Sequence, residues 1–421
     1  MGDRLRFLTN RIRERLWIRP LVMSVLSTAI VFIVKMLDID EIGRFVPAIS
    51  QESIKTLLTI ISASMLMIAT FAVASMVAAY ASASNTATPR SFSLIISDDV
   101  SQNALSTFIG AFIFSVVALI AMENGYYEKS GRFVLFVLTL IILAMVIVTF
   151  VSWVDRIARL GRLKGTIDKV EAATAAAFQR RRRAPTLGCA HAGRRPENGN
   201  QIICGEAIGY VQQVNVAALQ AIAEKLQVRI TLAALPGTFS APGRALASTI
   251  PDSGDLSDID TRQIAKAFLI GDDRKFEEDP RFGLIVLSEI AGRALSPAVN
   301  DPGTAIYIIG VFVRLLALWI EPVEEGDTRP CEYDRVEVPE ISLRDIFDDA
   351  FTAIARDGAG TIEVAGRLQK ALESLASIGD VAMRDAALHH SRMALARAEI
   401  ELELPEDLQV MRKLASFAND V

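Results

Sequence analysis

The sequence predicts a membrane α-helical protein: four transmembrane helices followed by a cytoplasmic α+β part, in which a small β-rich module precedes a helical domain. Three observations predict it. The composition is 51% hydrophobic with a mean hydropathy of +0.35, too apolar for an ordinary soluble chain, yet 22% of the residues are charged. The apolar residues concentrate before residue 155, in uncharged runs close to the roughly 20 residues a helix needs to cross a hydrocarbon core. Beyond that point the chain breaks into short apolar pieces, turns and amphipathic stretches, the pattern of a folded domain outside the bilayer.

The expected spans are residues 20–37, 57–81, 105–122 and 133–154. The first ends at Lys35, which can snorkel to a headgroup; if it lies in the interface instead, three spans remain. The second has no charge, the third is short and uncharged, and the fourth is a Leu/Ile/Val/Phe run of spanning length. No small-residue cleavage pattern follows the first run, so no cleaved signal peptide is expected. Arg4, Arg6, Arg11, Arg13, Arg15 and Arg19 precede the spans, and Arg156, Arg159, Arg162 and Lys164 follow them. Because positive charge stays inside, both termini are expected to be cytoplasmic.

Asp and Glu are missing from the middle of every span, so a carboxylate proton relay is not expected. The second span instead carries small and hydroxyl residues: Ala74 and Ala78, with Ser75, at close-packing spacing, and Thr59, Ser62 and Thr70, which either line a polar path or bond their own helix. Gly110 in the third span belongs with them, for pathway or for packing.

After the fourth span the helical pattern continues into Arg180, Arg181, Arg182 and Arg183, and residues 155–204 read as a juxtamembrane helix and a basic loop. Residues 205–250 form the β-rich module, with GYVQQV and VRITLA as strands around a helix capped by Asn215, and two Pro-Gly turns in LPGTFSAPGRAL. Residues 251–421 read as helical, with SDIDTRQIAKAFLIG as one helix and 321–340 as a loop. Residues 302–320 are nearly long enough to span, but Arg314 near the centre favours a buried core helix.

The stretch RALSPAVNDPGTA, residues 293–305, is a knot of polar residues between apolar helices. Pro297 stops one helix, Asp301 is an N-cap for the next with Pro302 at its first position, and Thr304 can join the cap. Either it is only that elbow, or Arg293, Ser296, Asn300 and Asp301, with Arg274 and Asp279 upstream, form a ligand or ion site or a subunit contact.

No phosphate-binding loop, nucleophile elbow, dinucleotide fingerprint or zinc-protease motif occurs, so no enzymatic activity and no cofactor are expected. Cys189, His191 and Cys204 lack a zinc spacing, and adjacent His389 and His390 point to different faces of a helix, so no metal is expected. The acidic balance beyond the juxtamembrane arginines disfavours nucleic acid as a partner.

Several blocks resemble a bacterial family of predicted integral membrane proteins of unknown function, with four spans and a large cytoplasmic domain. These are the segment after the second span with Pro89, Arg90 and Gln102, the GYVQQVN and LPGTFSAPGRAL pieces, and above all the run from Arg274 through Asp279 to ALSPAVNDP. Ala298 stands where glycine is usual, and Ser97-Asp98-Asp99-Val100 is more acidic than the family pattern. The resemblance implies an inner-membrane, multi-pass protein and no established activity. The function expected from the whole is an oligomeric channel-like protein for ions or small solutes, a homo-oligomer in the lipid bilayer, gated by its cytoplasmic part. The alternative is a membrane-anchored sensor or scaffold that binds a ligand or protein there.

Overall fold

A computed structural model describes residues 17–36, 47, 49–96, 99–159, 162–193, 201–252, 261–324, 326 and 330–418. Arg4 to Arg15, residues 37–46 of the loop after the first span, and Ser97-Asp98 lie outside the described residues. The chain divides into two compact units, Met1–Thr166 and Ile167–Val421.

The first unit holds α1 (Ile18–Met36), α2 (Gln51–Thr86), a 3-10 turn (Pro89–Ser91) leading into the short α3 (Phe92–Ile96), α4 (Asp99–Glu123) and α5 (Lys129–Arg159). α4 packs against α1, α2 and α5 and is half buried, whereas the α1 span is buried over only 17% of its residues, so α4 is the centre of this bundle. α2 buries one narrow edge, Ile54, Leu58, Ile61, Met65, Ala69, Ala72, Met76 and Tyr80, spaced three or four apart as a single helix face requires. Trp153 of α5 is fully buried and meets Phe108 of α4 edge to face at 6.1 Å. At one end, Tyr127 donates its hydroxyl to the Val31 carbonyl at 2.6 Å, tying the α4–α5 turn to α1.

The second unit opens with α6 (Leu163–Arg183). The sequence suggested one unbroken helix from the fourth span; instead α5 ends at Arg159 and α6 begins after a non-helical Arg162, which in the sequence follows Gly161, the residue type that least favours helix after proline. A five-stranded sheet follows in the order β1-β8-β4-β6-β2. Its strands are β1 (Cys189–His191), β2 (Gln201–Cys204), β4 (Val228–Leu232), β6 (Ala245–Pro251) and β8 (Tyr333–Val338). A three-stranded antiparallel sheet is ordered β5-β3-β7, from β3 (Gly209–Val214), β5 (Phe239–Ser240) and β7 (Phe268–Gly271). Helix α7 (Val216–Leu226), capped by Asn215 as expected, packs on β4 and β8.

The β region is therefore larger than residues 205–250. β1, β2 and β8 come from segments that read as loops, and β8 does so because YDRVEV is half charged: it buries Val336 and Val338, while Asp334 is exposed and the buried Glu337 accepts from the Thr231 hydroxyl on β4 at 3.1 Å. The expected helix over SDIDTRQIAKAFLIG is corrected too: among the described residues of this stretch, 261–271, only α8 (Thr261–Ala265) is helical, and FLIG is β7, a four-residue apolar run that periodicity cannot assign.

The helical layer comprises α9 (Pro280–Ala294), α10 (Pro302–Ile320), α11 (Leu343–Asp357), α12 (Ile362–Ile378), α13 (Val381–Glu401) and α14 (Pro405–Leu414). α9 and α6 approach so closely that a Cβ on Gly283 would lie 1.8 Å from the Thr174 hydroxyl, so only glycine fits there. α12 and α13 are locked by a fully buried pair, Ser391 donating its hydroxyl to Gln369 Oε1 at 2.6 Å.

Among the described residues five helices, not four, are long and apolar enough to cross a membrane, the fifth being α10. Within its unit α10 buries Ile308, Ile309, Val311, Phe312, Leu315 and Leu316. On its other side Arg314 makes a two-point ion pair with Glu171 of α6 at 2.7 and 2.9 Å, and Tyr307 donates to Asp168 at 2.9 Å.

Candidate functional site

The elbow between α9 and α10 satisfies itself. Asp301 accepts from the Thr304 backbone N–H at 3.1 Å and from the Thr304 hydroxyl at 2.6 Å, while its own N–H donates to the Ala294 carbonyl at 2.8 Å. Asn300 takes a left-handed φ of 48°, a conformation that Asn tolerates better than most residues, and its N–H donates to the Ser296 carbonyl. Ser296 donates its hydroxyl back to the Arg293 carbonyl at 2.7 Å. Arg293 and Asn300 are exposed. The orphan groups of two helix ends are thus met locally and near solvent.

Arg274 and Asp279 do not belong to this elbow, as the sequence grouping suggested. Asp279 caps the opposite end of α9, accepting from the Arg281 N–H at 3.1 Å. Fifteen helical residues, about 22 Å at the usual rise, separate the two ends. At this second end the Arg274 Nε meets Asp279 Oδ2 at 2.6 Å, with the carboxylate 2% and the guanidinium 16% exposed. The Arg274 guanidinium also lies over the Phe282 ring. The first Pro-Gly turn closes over the pair: Gly237 has φ +94°, and a Cβ there would stand 2.2 Å from Asp279 Oδ2.

Next along α9, Arg281 bridges two carboxylates one turn apart on α11, Asp345 at 2.7 Å and Asp349 at 2.6 Å. Burial holds the Asp349 carboxyl above its ordinary range, against the opposing pull of Arg281. Burial works against the Arg281 charge, but Asp349 and Asp345 outweigh it and leave that guanidinium more firmly protonated. Arg274, Asp279, Arg281 and Asp345 line a cleft of about 400 Å³ together with Thr238, Glu340 and Ser342.

The arginine run at the end of α6 reaches the same region. Arg180 donates to the Glu277 carbonyl, Arg182 to the Glu321 carbonyl, and Arg181 to the Glu278 carbonyl at a long 3.5 Å. Arg181 is only 5% exposed, and burial depresses its pKa against the raising influence of Glu278 and Asp279. The run is therefore built into the fold of the second unit and is not a freely solvated basic face.

In the spans, Thr59 and Thr70 are exposed and donate to Lys55 and Leu66 carbonyls one turn back, and half-buried Ser62 donates to Thr59. Ala74 and Ala78 are also exposed, and Ser75 is half buried. The alanines that pack inside the chain are Ala69 and Ala72, not the pair expected from spacing. Gly110 is a packing position: a Cβ there would press on Met23 and Ser27 of α1 at 3.3 Å. Pro89 and Arg90 are exposed on the 3-10 turn, and Gln102 is buried in α4. Cys189 and His191 lie on β1 and Cys204 on β2, the opposite edges of the five-stranded sheet, about 19 Å apart at four strand spacings.

Sequence reasoning missed Arg281, Asp345, Asp349, Gly237 and the burial of Arg181. The i, i+4 spacing of Asp345 and Asp349 and the Arg two residues after an N-cap were visible signals, but their meeting is tertiary.

The fold defines a multi-span membrane protein that carries a folded α+β unit. Residues 13–374 match the family described as "Predicted membrane protein (DUF2254)", and the chain belongs to that family. It is also similar to uncharacterised proteins of Mycobacterium bovis and Mycobacterium tuberculosis, each 35% identical over 106 residues, covering 24% of this chain. The matched segment is about a fifth, 20%, of the length of those relatives. No solved structure matches the chain significantly.

Proposed function

We propose that the protein is an oligomeric, channel-like protein of the inner membrane for ions or small solutes, with both termini cytoplasmic and with no catalytic activity. In this reading α1, α2, α4 and α5 cross the bilayer and α10 remains a core helix of the cytoplasmic unit. The observation that carries it is the shape of α2. Its buried edge is narrow, and the side left uncovered by the chain itself carries Thr59, Thr70, Ala74 and Ala78 among large apolar residues such as Leu66, Met67 and Val77. Small and hydroxyl residues on an uncovered span suit contact with a second copy, or a wetted path between copies, better than they suit lipid. α4, by contrast, is central in the single chain and its polar residues Ser101, Ser106 and Ser115 are buried there, so α2 rather than α4 lines the path. Arg314 supports the core reading of α10, because its guanidinium is held by Glu171 of its own unit. Purified protein in liposomes is expected to pass a small ion or solute down a gradient; no flux of any ion or solute tested would overturn this reading.

A second reading, a membrane-anchored sensor, is favoured by the charged cleft at the start of α9. It predicts that a fragment beginning at Leu163, which keeps α6, β1 and β2, folds without the spans; aggregation of that fragment in every condition would count against it.

A further inference from the structure

We infer that the second unit has a binding site for a phosphate-bearing anion, built on Arg181 at the end of α6. This deepens the sensor reading and is independent of whether the spans conduct. Among the described residues Arg181 is a guanidinium enclosed to 5% exposure whose Nη1 has no hydrogen-bond partner and whose Nη2 has a carbonyl only at 3.5 Å. Glu278 and Asp279 favour its charge without hydrogen-bonding Nη1, and a buried cation with donors unmet is costly, so that an acceptor of opposite charge in direct contact would relieve it. Its neighbours Arg180 and Arg182 are tied to backbone carbonyls, so the deficiency is particular to Arg181.

The side chain lines a cleft of about 440 Å³, within the range that holds a small ligand. Three further features of the lining suit a phosphate. Arg182 lies beside Arg181, giving two guanidiniums on one wall. Leu343 and Ala382 bring the first turns of α11 and α13 to the same cleft; the caps Ser342 and Asp380 each take one N–H, of Asp345 and of Met383, and the positive ends of both helix dipoles face this region. Trp319, braced edge to face on Phe178 at 4.8 Å, offers an aromatic wall for an attached organic group. Acidic side chains also line it, but they are engaged or lie outward: Asp380 caps α13 through Met383 N at 2.9 Å, Glu340 lies 3.7 Å from His191, and Glu321 is exposed. Nη1 is closed to solvent, so a rotamer shift at the cleft wall is part of binding.

The phosphate can belong to a soluble ester or to a lipid headgroup, and the test separates them. Full-length protein, stripped of lipid in detergent, is titrated with inorganic phosphate by calorimetry, and then with phosphatidic acid in mixed micelles. Saturable binding to either is expected, phosphate alone indicating a soluble source and phosphatidic acid alone a lipid one. Arg181→Gln should weaken it about tenfold or more, as loss of a charge-assisted contact does, while Arg293→Gln at the exposed elbow should leave it unchanged. Should Arg181→Gln not fold, Arg182→Gln is expected to weaken binding less strongly. No saturable binding of either probe, or binding unchanged by the cleft variants, would overturn the site.

Discussion

The two ends of α9 hold the same kinds of residue and use them differently. At its C-terminal end Arg293, Ser296, Asn300 and Asp301 make bonds within a dozen residues of chain, at the surface. At its N-terminal end Asp279 is almost fully buried and is held by Arg274 from upstream, covered by Gly237 from the β region, and followed by Arg281 reaching Asp345 and Asp349 on another helix. The difference teaches that the most conspicuous motif in a sequence can be the more self-contained site, while the charges that join distant segments read as ordinary in sequence. A local cap carries about 1 kcal/mol, but a buried charge stripped of its partner costs several times that.

That contrast can be broken by substitution. Asp279→Ala removes a cap and strands Arg274 in a nearly closed site, so urea unfolding of the purified protein should lose about 3–5 kcal/mol; a loss near that of an ordinary cap would erase the distinction between the ends. Gly237→Ala comes next. It forces a Cβ onto the Asp279 carboxylate at a positive φ, and a loss of about 2–3 kcal/mol is expected. An unchanged midpoint would mean the turn does not close over the pair.

Burial also sets a pH dependence. His390 on α13 is enclosed against Phe347 and Phe351, and burial lowers its pKa from 6.5 to about 4, with His389 and Arg397 pushing the same way and Asp348 opposing. Its neutral form is the folded form, so the stability it confers is present above pH 6.5 and is lost as pH falls toward 4. Between pH 6.5 and 5 a decline on the order of 1–2 kcal/mol is expected, and His390→Gln should flatten it. If the variant keeps the wild-type slope, other groups carry it. The smallest effect belongs to the elbow: Asp301→Ala should lose about 1 kcal/mol, with binding of phosphate unchanged.

The sequence made the membrane helices legible because hydropathy is additive along a chain, and it placed the Asn215 and Asp301 ends because capping is local chemistry. What it could not convey was partnership. β1 pairs in parallel with β8 across more than 140 intervening positions, so neither three nor six residues announced a strand. Likewise Ala74 and Ala78 have close-packing spacing, but which face of α2 the chain covers depends on where α4 lies, and α4 covers Ala69 and Ala72. Nothing in the sequence set Arg181 apart from the three arginines beside it, because burial of a helix end is decided by the segments that pack on it.

That uncovered face of α2 is where the proposed function is most exposed to test. With Cys189, Cys204 and Cys331 replaced by Ala, Ala74→Cys is placed on the outer face and Ile61→Cys on the buried edge, each in its own full-length chain, and membranes are treated with a short bis-maleimide. Covalent dimers through position 74 and none through position 61 are the predicted result, since one thiol per chain can be linked only once. Monomer alone from Ala74→Cys, under conditions that link a known membrane oligomer, would contradict the account.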